Sequence, residues 1–177
     1  DVYKRQVLYD IDPEKFSNEQ ENGLEHLIRK GGGLLIIAGR THGLDSLLQV
    51  RTEKMKEILP VVIDKTRHPN YREVFDKPFK TVRTEAGMKH PVFLFDMSAR
   101  ANDKVWESFP QFFWHHPVIR AKPEAVVLLK KDAPPDDRGD VLMALMRYGE
   151  GVVFYSGLDT IWRWRYPMEN YDYDRRS

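Results

Sequence analysis

Gly31-Gly32-Gly33-Leu34-Leu35-Ile36-Ile37-Ala38-Gly39 sets five consecutive apolar residues between two glycine breaks. A run without polar alternation reads as a strand buried on both faces, the kind found in a parallel sheet covered by helices. Upstream, Ser17 stands three residues before Gln20, a spacing at which each side chain satisfies an unpaired amide at a helix start. Leu24, Leu27 and Ile28 follow at helical spacing and Gly31 ends the run, so a helix is predicted over 17–30. Further upstream, Val7-Leu8-Tyr9 reads as a buried strand closing at Asp10, and Asp12-Pro13 turns the chain. Strand, helix and strand over about 30 residues form a βαβ unit with a right-handed crossover. Gly39-Arg40-Thr41-His42-Gly43 is then the loop at the carboxyl end of the second strand, where open α/β sheets place ligands.

Downstream, a short helix is predicted over Leu44–Val50 or Thr52–Ile58, and Leu59–Ile63, which contains Pro60, reads as an edge strand. The stretch 64–90 is polar and mixed, with a hairpin expected around Phe79–Arg83. Asn102–Phe109 reads as a helical turn carrying Trp106, and Pro110–Pro117 is dense in aromatic residues. Ala125–Lys130 reads as a strand and Pro134–Asp140 as a turn-rich loop. Val141–Tyr148 and Val152–Gly157 read as two strands joined through Gly149-Glu150-Gly151 into a hairpin.

The chain has 177 residues, 28 basic against 27 acidic side chains, a net charge of +1 and no Cys. That length suits a single domain. Without Cys there are no disulfides, thiolate metal sites or thiol nucleophiles, and the balanced charge argues against a nucleic-acid binder. No apolar run approaches the roughly 20 residues of a membrane span. The first six residues, Asp1-Val2-Tyr3-Lys4-Arg5-Gln6, resemble the translated end of a sequencing-library adapter. They are set apart from fold reasoning as a scar, leaving 7–177 as the domain. Both ends of the chain read as those of a fragment.

Several groups of residues could carry chemistry. Arg40, Thr41 and His42 would offer a cation, a hydroxyl and an imidazole beyond a strand end; the alternative is a solvated turn. His115-His116 beside Trp114 suggests a metal pair, but neighbours on a strand face opposite ways and rarely reach one ion. Packing is the expected role, and no metal or other cofactor is expected. Asp159-Thr160 resembles a helix start, with a catalytic carboxylate as the other reading. Trp162-Arg163-Trp164-Arg165, if extended, would show an aromatic face and a cationic one, suited to stacking bases or binding phosphate. The other reading has the rings capping the core and the arginines stacked or paired.

The Gly31–Gly39 segment after a capped helix, with Leu59-Pro60-Val61 following, is similar to the class I glutamine amidotransferase-like superfamily. More narrowly, the chain resembles the glutamine amidotransferase domains of large bacterial membrane proteins. The most specific part is Tyr148-Gly149-Glu150-Gly151-Val152-Val153-Phe154-Tyr155-Ser156-Gly157-Leu158-Asp159-Thr160-Ile161-Trp162-Arg163-Trp164-Arg165. His90-Pro91, Trp106–Pro110, Trp114 and Pro117 resemble that group's middle section. The resemblance implies an α/β, flavodoxin-like three-layer sandwich with a mainly parallel sheet and a C-terminal β-hairpin, N-terminally truncated so that the usual first strand and helix lie upstream. It also implies a membrane-anchored, transmembrane protein in which this segment sits beside other domains, von Willebrand factor A-like ones among them.

The enzymes of that superfamily attack an amide with a Cys thiolate and a His base. Here no thiol exists, and Leu158-Asp159-Thr160 stands where the enzymes carry a His-x-Glu pattern. The expected function is therefore a non-catalytic module, ligand-sensing or protein-interacting. A small anionic or carbohydrate ligand would be bound by Arg40, Thr41, His42, Asp159, Trp162 and Arg163 in one crevice. The alternative is a hydrolase using Ser156 or Thr41 as nucleophile, with His42 or His116 as base.

Overall fold

The computed structural model describes residues 5–44, 53–64, 78–132 and 141–164. Arg5–Tyr9 (β1) and Gly33–Ile37 (β2) pair in parallel, with Val7 beside Leu35 and Tyr9 beside Ile37. Between them runs Asn18–Arg29 (α1), capped as its sequence requires: the Ser17 hydroxyl accepts from the Gln20 amide, and the Gln20 side chain accepts from the Ser17 amide. Gly31 ends the helix at φ +93°, a left-handed conformation that costs glycine little. The βαβ order stands as expected, but β1 is not the buried strand its apolar run suggested: Val7 and Tyr9 are exposed, because β1 is the edge of the sheet and only one of its faces is covered.

The rest of the main sheet is built differently from its start. Val141–Tyr148 (β7) and Gly151–Ser156 (β8) form the expected hairpin, and β8 lies parallel to β2 with Ile36 beside Tyr155. On the far side of β7 come Val126–Lys131 (β6) and Thr81–Arg83 (β4), both antiparallel to their neighbours. The sheet order is β1-β2-β8-β7-β6-β4. Only β1–β2 and β2–β8 are parallel; the other three pairings are antiparallel.

This corrects the expectation of a mainly parallel, flavodoxin-like sandwich. A parallel neighbour needs a crossover of a dozen residues or more, whereas β7 passes to β8 through Gly149-Glu150, with Gly149 at φ +59°. So short a link admits only an antiparallel return. The structure is also poor in helix: besides α1, the described residues hold Glu53–Ile58 (α2), Glu85–Lys89 (α3) and Ala99–Glu107 (α4), with short 3-10 turns at Pro91–Phe93 and Ile161–Trp164.

Other expectations shift. Val61–Ile63 (β3) is an edge strand, as Pro60 suggested, but of a separate two-stranded sheet in which it pairs antiparallel with Val118–Ala121 (β5). No hairpin forms at Phe79–Arg83: β4 pairs with distant β6, and Phe79 bridges to Phe112. The short helix is found over Glu53–Ile58; its alternative over 44–50 and the loop at 134–140 lie largely or wholly outside the described residues. The transmembrane expectation is likewise corrected. Among the described residues no helix is long and apolar enough to cross a membrane; α1, with 12 residues, is amphipathic and packs Leu24 and Ile28 on the sheet.

The sheet separates two cores. On one face α1, α2 and the β3–β5 pair bury Ile28, Met55, Ile58, Val61 and Val118 against Leu34, Ile36, Ala144, Val153 and Tyr155. On the other, α3, α4 and the two 3-10 turns gather Phe93, Phe112, Trp106 and Trp164 over Leu128, Leu129 and Met143. Transferring such side chains from water is worth roughly 1.5–3 kcal/mol each, the dominant favourable contribution to the fold.

Candidate functional site

The carboxyl ends of β1, β2 and β8 converge, and there the sequence places polar residues directly after apolar strands. Asp10 follows β1 at φ +45°, a left-handed conformation that Asp tolerates better than most residues. From it the carboxylate reaches the loop after β2: Oδ2 accepts from the Thr41 amide at 3.1 Å and Oδ1 from the His42 amide at 2.9 Å. Partial burial pushes the Asp10 carboxyl up, but the His42 amide, the Thr41 hydroxyl and amide and the nearby His42 ring together hold it below its usual value. Gly39 is required here because a Cβ at that position would lie 2.0 Å from Asp10 Cγ. A tight pocket of about 10 Å3, lined by Asp10, Gly39 and Gly43 among others, lies underneath; it is about the size of one water.

Arg40 leaves this loop towards β8. Its Nε lies 2.5 Å from Asp159 Oδ2, its Nη2 donates to Asp159 Oδ1 at 3.2 Å, and its Cζ sits 5.4 Å from the centroid of the Trp114 ring. The Asp159 side chain is only 8% exposed. The guanidinium is therefore paired with a carboxylate through one hydrogen bond and a close ionic contact, and set over an aromatic face.

His116 is almost fully buried, at 1% exposure. Its Nε2 accepts from the Leu44 amide at 3.1 Å, and its Nδ1 lies 3.2 Å from the Pro117 carbonyl. Those partners assign the proton to Nδ1, which donates to the carbonyl. Ser156, also 1% exposed, donates from Oγ to the Leu158 carbonyl at 3.0 Å and accepts from the Leu158 amide at 3.3 Å. Tyr155 is fully buried and its hydroxyl has no hydrogen-bond partner among the described residues; burial alone pushes its phenol far up.

Of the residues expected in one crevice, Arg40 and Asp159 meet directly, while Thr41 and His42 contribute main-chain amides to Asp10. Arg163 is anchored to other groups: it donates to the Gln111 carbonyl at 3.1 Å, and its Cζ lies 5.4 Å from the Phe113 centroid. Trp162 is 60% exposed. The segment is a 3-10 turn rather than an extended stripe, so aromatic and cationic side chains do not alternate between two faces; Trp164 instead enters the second core, stacked on Phe109 at 5.0 Å. Arg165 lies outside the described residues. His115 and His116 diverge as well: the His115 ring meets Phe79 edge-on at 5.3 Å, whereas His116 packs against Trp114. Sequence reasoning missed Asp10 as a clamp. The available signal was an acid closing one strand opposite a glycine closing its parallel neighbour.

The sequence matches no protein-family profile and no curated protein. Solved structures do share its fold. One cytoplasmic protein from Salmonella typhimurium matches 87% of this chain at 18% identity with a TM-score of 0.58, and another from strain LT2 matches 93% at 20% identity with a TM-score of 0.60. The matches cover 59% and 64% of those two proteins, so the chain spans about three fifths of their length. A GH42 β-galactosidase from G. stearothermophilus matches 96% of this chain at 15% identity, over 22% of its own length, with a TM-score of 0.51. At such identities the likeness is one of fold. Two of these proteins are named as cytoplasmic.

Proposed function

We propose that this chain is a non-catalytic, glutamine amidotransferase-like module that works by binding, either sensing a small anionic or carbohydrate ligand or holding another domain of a longer protein. The observation that carries the reading is how the hydroxyl and imidazole at the strand ends are used. Ser156 is buried and bonded in both directions to the main chain of Leu158, and both His116 ring nitrogens are engaged by main-chain groups. A general base needs a free lone pair within reach of the proton it takes, and the Nε2 lone pair already receives the Leu44 amide. The absence of Cys removes the thiol route. These contacts give Ser156 and His116 no support as nucleophile and base in the hydrolase alternative.

An interaction role draws on the sheet face opposite α1. Val7 and Tyr9 of β1 are 59% and 56% exposed beside Leu35 and Ile37 of β2, and Val152 of β8, 39% exposed, stands beside Gly33 on the same face. Contiguous apolar surface of this kind marks contact sites. The partners in this reading are domains of the same longer chain, von Willebrand factor A-like ones included, and not nucleic acid, in keeping with the net charge of +1.

Two assays test the reading together: ammonia release from glutamine and labelling by a serine-directed fluorophosphonate. Neither is expected above a heat-denatured control. Ammonia release, or labelling abolished by Thr41→Ala or Ser156→Ala, overturns it.

A further inference from the structure

The strand-end crevice is internally paired, but a second concavity on the other side of the sheet is not. It lies between the last turn of α4 and the start of β4, encloses about 220 Å3, and is lined by Lys80, Thr81, Trp106, Glu107, Phe109 and Gln111 among others. Trp106 and Phe109 meet nearly at right angles, with centroids 5.4 Å apart and an interplanar angle of 76°. Both rings are braced: Phe95 stacks on Trp106, which also carries the Arg83 guanidinium with Cζ 4.7 Å from its centroid, and Trp164 stacks on Phe109. Arg163, bonded to the Gln111 carbonyl, fixes the main chain at the pocket rim.

The polar side chains of this pocket are uncommitted. Among the described residues, Lys80, Thr81, Glu107 and Gln111 make no side-chain hydrogen bond or ion pair within the protein. Glu107 is the last residue of α4, where a carboxylate opposes the helix dipole. Ammonium, hydroxyl, carboxylate and amide together offer both donors and acceptors around a rigid aromatic corner. A volume below the roughly 300–1,000 Å3 of drug-sized sites suits a single ring.

We infer that the pocket between α4 and β4 is a binding site for one neutral pyranose unit, its C–H surface against Phe109 and the rim of Trp106 and its hydroxyls on Glu107, Gln111, Thr81 and Lys80. The inference rests on the reading that the module binds rather than turns over its ligand, and it places a carbohydrate away from Arg40.

The test is an NMR titration of the intact chain with methyl glycosides of glucose, galactose and mannose, alongside sodium sulfate. At least one sugar is expected to shift resonances of residues 80–81 and 106–111, with Glu107→Ala and Gln111→Ala each weakening it about tenfold, the equivalent of ~1.4 kcal/mol. Both side chains are exposed, so unchanged melting is expected to certify the variants. No shift at any sugar concentration, shifts centred on Arg40 and Asp159, or a response to sulfate alone overturns the assignment. Parallel incubation with the matching nitrophenyl glycosides separates the two readings: nitrophenol release would sink the non-catalytic function and leave the pocket, whereas missing sugar shifts sink the pocket alone.

Discussion

Arg40 and Asp159, 119 residues apart in sequence, form a two-point ion pair that bridges the loop after β2 to the chain leaving β8. The carboxylate is nearly enclosed and the guanidinium rests over Trp114. The pair turns the most obvious cation of the strand-end loop into a structural tie. An anionic ligand would have to displace Asp159 to reach it.

Breaking the tie from one side is expected to cost more than removing it altogether. Arg40→Ala leaves a mostly buried carboxylate without its counter-charge, for about 2–4 kcal/mol after allowing for the partial exposure of the arginine. Arg40→Ala combined with Asp159→Ala should destabilise by clearly less than the sum of the single changes. Chemical denaturation of the four proteins measures the coupling, and additive losses would show that the contact does not hold the loop.

Acid should release the Asp10 clamp. Because its folded carboxyl titrates below the usual 3.8, the clamp contributes fully above that value, and its contribution disappears as pH falls through the lower folded one. Asp10→Asn keeps a side chain that accepts positive φ but weakens the charge-assisted bonds, for about 1–2 kcal/mol at neutral pH. Thermal melts of both proteins between about pH 2 and 6 should therefore converge at the acid end; a constant gap would refute the clamp.

Tyr155→Phe is expected to stabilise the protein. The hydroxyl is buried without a partner among the described residues, and such a group carries its desolvation cost unrelieved, of the order of 1–3 kcal/mol. A gain of about 1 kcal/mol in urea unfolding is the expected result. A loss of stability would mean that the hydroxyl has an acceptor.

Trp164→Ala should damage the fold more than Trp162→Ala. Trp164 touches Phe93, Trp106, Phe109 and Phe112, and truncating a core aromatic costs roughly 3–5 kcal/mol. Trp162, 60% exposed, should cost under about 0.5–1 kcal/mol. Equal losses would place both rings in the core.

Local sequence was enough to place the elements of the first forty residues, though not the exposure of β1 at the sheet edge. The Ser17–Gln20 capping box, the Gly31 stop and the unbroken Leu34–Ala38 run each act within a few residues, and all three stand in the structure. The β7–β8 hairpin was legible for the same reason, because a tight glycine turn fixes its own register. The direction of the remaining sheet was not legible. The antiparallel addition of β6 and β4, and the departure of β3 and β5 into a second sheet, depend on which distant strand offers an edge.

The same division runs through the candidate sites. Composition alone excluded thiol chemistry, and position after a strand nominated Arg40 and Asp159. Whether two such charges face a ligand or each other is a matter of ångströms set by β2 lying beside β8, and no spacing along the chain encodes that contact. Likewise, Lys80 and Glu107 stand 27 positions apart in the sequence, and the pocket they share comes from packing α4 against the β4 end of the sheet. Hydrogen bonds between near neighbours are dictated by the residues that make them, whereas long-range pairing is decided by the closure of the whole core.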